Sequence, residues 1–200
     1  MQLITYLEDI SKLEEIKRAG IKEVILSPAV LSRFGENSIE RANELAQVCV
    51  NNQIRPILEW DILMTEEVFK RTLKYINKIN FNLFYAIRVQ DIGALNYIYE
   101  LSDTIKIQLI LESGNHNLKG LLKWCSVFGD RLERIVLGQE ITKANLNIYI
   151  KNIKIPIEFL GLGRVLLFYS PRSLLKKHFT KDLDKWIEAN ATTEEKKHKD

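Results

Sequence analysis

The chain has 200 residues, of which 46% are hydrophobic and 28% are charged, and its formal net charge at pH 7 is +3. This composition is typical of one soluble domain with enough apolar residues to build a core. Lysines and arginines are mixed with acidic residues and form no obvious stripe. The sequence therefore argues mildly against a nucleic-acid binder, and RNA is the least favoured of the partners considered below.

The sequence also disfavours a secreted or membrane protein. The N-terminus lacks the basic start and apolar core of a signal peptide. The longest uninterrupted apolar runs, such as Val165 to Tyr169, are far shorter than the roughly 20 residues of a membrane span. The two cysteines, Cys49 and Cys125, lie in segments with helical periodicity, which is typical of reduced, buried thiols. We therefore expect a cytoplasmic protein with no membrane span.

Short apolar runs predict strands, and segments with apolar residues three and four apart predict helices between them. In chain order, the predicted strands are residues 3–7, 23–27, 55–60, 84–89, 106–112, 134–138 and 157–160. The predicted helices are residues 10–19, 38–51, 65–77, 93–101, 118–128 and 143–152.

Continuous apolar strands that alternate with helices are typical of a parallel sheet covered by helices. We therefore predict an α/β fold, a TIM-like (β/α) barrel with parallel strands. The barrel is expected to be compact or incomplete, because an eight-stranded barrel usually needs about 250 residues. An open doubly wound sheet is the alternative. The predicted organisation is a single βα domain over residues 1–179, then a helical turn and a disordered polar tail over 180–200.

Carboxylates recur where the predicted strands end. In parallel α/β folds, the loops after the strands converge on one face, and reactive groups gather there. Glu59, Glu112 and Glu140 are therefore the candidate catalytic residues, able to act as general acid and base. They could equally bind a cation or a polar substrate. Two further acidic residues at strand ends, Asp61 and Asp91, are expected to cap the helices that follow.

Two polar residues are candidates for substrate binding. Arg88 lies in an apolar strand, where a guanidinium must find an anion to offset its desolvation. A carboxylate from the next strand and an anionic substrate are both candidate partners. Asn117 is a good N-cap after a polar loop whose backbone amides could receive an anion. His116, in the same loop, is a weaker candidate, and no zinc pattern or P-loop is present. We therefore predict no metal and no cofactor.

The segment from residue 134 to 175 resembles the collagenase-like peptidases of family U32. Members carry a strand that ends in a glutamate, here Glu140, before a Tyr-Ser-x-Arg-Cys motif, here Tyr169 to Ser173. The branch that assists oxygen-independent hydroxylation of ubiquinone precursors is the most similar. The resemblance implies a TIM-like barrel in which Glu140 is a general base or substrate ligand. It also implies that Tyr169 and Arg172 orient an anionic or aromatic group of the substrate.

The motif differs from the family pattern at its last position. Hydroxylating members hold an iron–sulfur cluster through four cysteines, the first of them in this motif, but this chain has Ser173 there and two cysteines in total. Cluster irons need thiolates, so a four-cysteine cluster within one chain is excluded. We therefore expect a cluster-free member that acts on or binds a polar small molecule or peptide. The alternative is a non-catalytic partner of an iron–sulfur relative that hydroxylates a ubiquinone precursor or RNA.

Overall fold

The computed structural model describes residues 2–112 and 117–163. The described chain forms two compact units, which we call unit 1, up to Tyr85, and unit 2, from Ala86. Unit 1 contains β1 (Ile4–Tyr6), α1 (Leu13–Arg18), β2 (Glu23–Leu26), α2 (Ile39–Asn51), β3 (Arg55–Trp60) and α3 (Glu66–Ile76). Unit 2 contains β4 (Ala86–Val89), α4 (Ile92–Leu101), β5 (Lys106–Leu111), α5 (Leu118–Phe128), β6 (Leu132–Leu137), α6 (Lys143–Asn152) and β7 (Ile157–Phe159).

All of these strands run parallel within their units. In unit 1, β2 pairs with β1 and β3. In unit 2, the pairs are β4 with β5, β5 with β6 and β6 with β7. The order of the strands in each unit is their order in the chain, whereas a doubly wound sheet reverses its order at a switch point. The predicted fold class is therefore confirmed: the described residues form an incomplete TIM-like α/β arrangement of parallel strands alternating with helices.

The helices cover the sheet as their periodicity predicts. On α2, the buried side chains recur at three- and four-residue spacing, which places them on one face, and α2 packs against β2 and β3. Ser38 caps this helix by accepting a hydrogen bond from the backbone N–H of Arg41 at 3.1 Å. The buried residues of this face are Ile39, Ala42, Leu45, Ala46 and Cys49.

The predicted first and last residues of the strands and helices agree well with the structure, with a few local differences. The strand β3 and the helices α5 and α6 begin and end at the predicted residues. The first predicted helix instead divides into a 3-10 helix, Ile10–Lys12, and α1, and β6 begins two residues earlier than expected, at Leu132. Short 3-10 helices at Phe81–Leu83 and Gly129–Arg131 were not predicted.

The single domain over 1–179 stays a prediction, and the predicted tail over 180–200 lies outside the described residues. Within residues 2–112 and 117–163, no helix has the length and apolar character needed to cross a membrane.

The loop after β2 should be sensitive to a single added methyl group. Pro28 and Asn37 form a parallel bridge, and between them a Cβ on Gly35 would meet the backbone oxygen of Ser27 and lie 2.7 Å from that of Pro28. We expect Gly35→Ala to lower the free energy of unfolding by about 1–3 kcal/mol, the usual effect of overpacking. Urea unfolding measures this change.

The matched control is Gly161→Ala, because no atom lies within 4 Å of the added Cβ. This control should change stability by less than about 0.5 kcal/mol. Equal stability of the two variants would show that the loop can move away from Gly35.

Candidate functional site

The carboxyl ends of the unit 1 strands meet at a buried carboxylate. Ser27 and Ser32 each donate a hydrogen bond to Glu59 Oε2 at 2.7 Å, and the Tyr6 hydroxyl donates to Oε1 at 2.9 Å. The parallel register explains why these side chains are close. Leu26 is paired with Leu58, and the residue that follows each of them is Ser27 on one strand and Glu59 on the other. We call Tyr6, Ser27, Ser32 and Glu59 the Glu59 cluster.

One member of the Glu59 cluster is accessible to a ligand. Tyr6 is 48% exposed, whereas Ser27, Ser32 and Glu59 are 8%, 0% and 3% exposed. An ionised carboxylate can only accept hydrogen bonds, so all three hydroxyl hydrogens point towards Glu59. Tyr6 is therefore the member of the cluster that a ligand can contact directly.

A buried ion pair lies beside the Glu59 cluster in sequence. Arg33 donates to Asp61 twice, from its backbone N–H at 2.8 Å to Oδ1 and from Nε at 2.6 Å to Oδ2. The prediction that Asp61 caps the following helix is wrong, because Thr65 caps α3 by accepting from the backbone N–H of Val68. Both carboxylate oxygens of Asp61 instead accept from Arg33, one of them from its guanidinium. The pair ties the loop after β2 to the loop after β3.

Unit 2 contains a network of charged and amide side chains on one face of its sheet. Arg88 donates to Gln108 Oε1 from Nε at 3.0 Å and from Nη2 at 2.9 Å, and its Nη2 lies 2.6 Å from Glu158 Oε2. Arg134 contacts the same Glu158 oxygen at 3.2 Å and Glu133 Oε1 at 3.1 Å. Gln108 donates to Glu133 Oε2 at 2.7 Å. The register pairs Arg88 with Gln108 and Gln108 with Arg134, and we call these five residues the unit 2 network.

The unit 2 network shows which carboxylate forms an ion pair with Arg88. The next strand supplies the amide of Gln108, and the carboxylate comes from Glu158 on β7. Arg88 is 4% exposed, so its guanidinium is engaged inside the protein. Its role in substrate binding stays a prediction.

The other predicted site residues are placed as follows. Glu112 directly follows β5 and is half-buried, whereas Glu140 lies exposed in the turn after β6. Asn117 caps α5, accepting from the backbone N–H of Gly120 at 2.8 Å, and Asp91 caps α4 as predicted, accepting from Ala94.

The roles of Glu59, Glu112, Glu140 and Asn117 stay predictions. The calls at His116, Tyr169, Arg172 and Ser173 lie outside the described residues.

Sequence reasoning missed several polar partners. The sequence did contain a sign that Glu158 has a buried partner, because it is a charged residue within an apolar strand, as Arg88 is. Tyr6 lies in a predicted strand, but nothing distinguished its hydroxyl as a partner of Glu59. Ser32 and Arg33 lie in a loop and reach partners 27 and 28 residues away, a distance that no local pattern reports.

The two thiols are poor nucleophiles and poor ligands. Burial raises the pKa of Cys49 to about 11, and desolvation raises the pKa of Cys125. Both thiols therefore stay protonated at neutral pH, whereas attack and metal binding need the thiolate. In the part of the chain that the structure describes, no three His, Cys, Asp or Glu side chains are arranged to hold a metal ion.

The fold and these polar strand ends define a parallel α/β protein of the TIM-like class. Its sequence matches the model of peptidase family U32 over residues 8–185. The chain therefore belongs to peptidase family U32, and the family resemblance of the sequence is confirmed.

Two further comparisons add little. No curated protein matches the sequence. Among solved structures, the chain is similar to monomers generated from the dimeric phosphoribosylanthranilate isomerase of Thermotoga maritima, with 11% identity and a TM-score of 0.46. That match covers 80% of this chain and 86% of the other, and at this level of similarity it carries no argument about function.

The bond between Tyr6 and Glu59 should be measurable as a coupling energy. We expect Tyr6→Phe to destabilise the chain by about 1 kcal/mol and Glu59→Gln by about 2–3 kcal/mol, as for hydrogen bonds to neutral and charged groups. Because the residues are in contact, the double variant should deviate from additivity by about 0.5 kcal/mol or more. Urea unfolding of the four proteins gives the coupling. Tyr75→Phe is the control, and combining it with Glu59→Gln should be additive; additivity for Tyr6 as well would contradict the bond.

Glu158 should matter more to stability than Glu133. Without Glu158, Arg88 keeps only an amide partner, and a buried cation without its anion destabilises by about 3 kcal/mol or more. Arg134 would keep Glu158 if Glu133 were changed instead. Chemical denaturation of Glu158→Gln and of its matched control Glu133→Gln compares the two losses. A larger loss for Glu133→Gln would show that Glu158 is not the central anion.

Proposed function

We propose that this member of peptidase family U32 is cluster-free and binds or acts on a polar substrate, a small molecule or a peptide, at the carboxyl ends of its strands. The observation that carries this proposal is the Glu59 cluster, in which a buried carboxylate accepts from the exposed Tyr6 hydroxyl. In parallel α/β folds, this end of the strands is where ligands bind and catalytic groups gather.

The chemistry follows from the direction of the bond between Tyr6 and Glu59. Because Tyr6 gives its hydrogen to Glu59, its oxygen can accept a hydrogen bond from a substrate N–H or O–H. If the substrate proton moves to the Tyr6 oxygen, the Tyr6 hydrogen moves to Glu59, and the net result is proton transfer to the buried carboxylate. Tyr6 then contacts the substrate, and Glu59 acts through Tyr6 as the base.

For unit 2, the proposal follows the family resemblance. Glu140 is assigned the role of general base or substrate ligand, Glu112 that of a second acidic group, and Tyr169 and Arg172 the role of orienting an anionic or aromatic group. Arg88 and Asn117 already bond within the chain. They are nonetheless assigned, as the sequence predicts, to binding the substrate at the strand ends.

The alternative is a non-catalytic subunit that partners an iron–sulfur relative in oxygen-independent hydroxylation of a ubiquinone precursor or RNA. It is favoured by Ser173, which stands where the motif has a cysteine, and by the raised pKa values of the two thiols. The relative would then supply the cluster, and this chain would contribute its strand ends. This alternative also includes the proposal that the chain is related to the family branch that assists hydroxylation of ubiquinone precursors.

The primary test is binding of defined polar probes to the full chain. A panel of gelatin peptides, free amino acids and nucleotides is screened by thermal shift, and the affinity of each compound that binds is then measured in Tyr6→Phe. Loss of one hydrogen bond should weaken binding about tenfold. Tyr75→Phe is the control and should bind as the parent does; unchanged affinity in Tyr6→Phe would remove the Glu59 cluster from the site.

Anaerobic affinity purification separates the proposal from its alternative. A stoichiometric partner that carries iron and sulfide, together with no binding from the panel, would support the subunit role. A metal-free chain that binds a panel compound through Tyr6 would support the independent site. A metal-free chain that purifies alone and binds nothing would contradict both.

A further inference from the structure

Unit 1 also has a groove at the amino ends of its strands, the opposite end from the Glu59 cluster. Its volume is about 300 Å³, at the lower limit of small-molecule sites. The apolar lining includes Val50 from α2, Pro56 from β3 and Phe84, which precedes β4. Three polar side chains also line it: Gln53, Arg55 and Asn82.

Arg55 is held in a fixed orientation at this groove. Its guanidinium lies 4.5 Å from the centre of the Tyr85 ring, and Nη2 is 2.5 Å from Oε1 of Glu23. Stacking on one face and an ion pair at one edge limit the rotation of the planar group. Within the described residues, Nε and Nη1 donate no hydrogen bond, and the side chain is 43% exposed. The guanidinium of this groove residue therefore has N–H donors that no other described group takes.

Gln53 occupies a backbone position that normally selects glycine. It follows the last turn of α2, donates its N–H to the Val50 carbonyl at 3.0 Å and has φ of 59°. This is the left-handed C′ position of a helix end, where glycine is preferred because a Cβ is strained. Strain of this kind is retained more often at functional sites. The side chain that replaces glycine here brings an amide to the groove.

The amides of Gln53 and Asn82 are available for a ligand. Both residues are exposed, and neither side chain hydrogen-bonds to another part of the described chain. With the guanidinium of Arg55, they place three groups of N–H donors around apolar walls. Small-molecule sites usually have a mostly apolar lining with a small number of polar groups.

We propose that this groove binds a small monocarboxylate with an apolar body. The remaining N–H donors of the guanidinium and the amide donors match carboxylate oxygens, and the walls from Val50 and Phe84 match an apolar body. Glu23 already pairs with Arg55, so the groove carries little net positive charge, and a phosphate dianion would be less favourable there than a single negative charge. The site lies at the other end of the strands from Tyr6, so it does not depend on the proposed function.

Titration of 4-fluorobenzoate into the full chain, followed by fluorine NMR, tests this site. We expect saturable binding, with 4-fluorobenzamide binding at least about fivefold more weakly because it lacks the charge. Arg55→Lys keeps a cation beside Glu23 but loses the planar, fixed set of N–H donors, and it should weaken benzoate binding about fivefold or more. Inorganic phosphate should not displace the probe.

Gln53→Gly separates binding from folding. Glycine suits the left-handed backbone, so the urea midpoint should stay the same or rise, while the loss of the amide should weaken binding about threefold or more. Tyr6→Phe is the control for location and should bind benzoate as the parent does.

Each other result would overturn the proposal. No saturable binding at millimolar probe, equal binding of the benzamide, or full affinity in both Gln53→Gly and Arg55→Lys would show that the groove is not a carboxylate site. Displacement by phosphate would show a general anion site. Loss of binding in Tyr6→Phe would place the probe at the Glu59 cluster.

Discussion

The buried carboxylate of Glu59 is the group on which the arrangement of the unit 1 strand ends depends. Removing a carboxylate from water is unfavourable unless hydrogen bonds replace its hydration. Its donors come from β1, from the residue after β2 and from the loop that follows. One anion therefore holds three segments that are far apart in sequence, and each segment is placed by the need to satisfy it. The ion pair of Arg33 and Asp61 likewise connects the loop after β2 to the loop after β3.

Unit 2 satisfies its buried charges by pairing them. Two arginines face two glutamates, and the amide of Gln108 bridges Arg88 and Glu133. Such a network is sensitive to the loss of one member, because the remaining charge stays buried. It also opposes a shift in strand register, since a slip of one residue would move these side chains to the face that packs against the helices. The network therefore accounts for register and stability.

The sequence predicted elements well and long-range side-chain contacts poorly. Strands buried on both faces are continuous apolar runs, and helices on a sheet carry one apolar face, so β3 and α5 could be bounded correctly. The start of β6 was missed because its pairing with β5 is irregular near Gln108, which no periodicity reports. Its place at a strand end made Glu59 a candidate from sequence, but Tyr6 lies 53 residues from Glu59, and only the folded sheet brings them together.

The two ends of unit 1 differ in a way that bears on function. At the carboxyl end, the polar groups are buried and bonded to one another, so a ligand has access mainly through Tyr6. At the amino end, where stability usually dominates in barrels, Gln53 keeps a strained backbone and presents an amide that bonds to nothing in the described chain. Glycine is the usual residue at this position of a helix end.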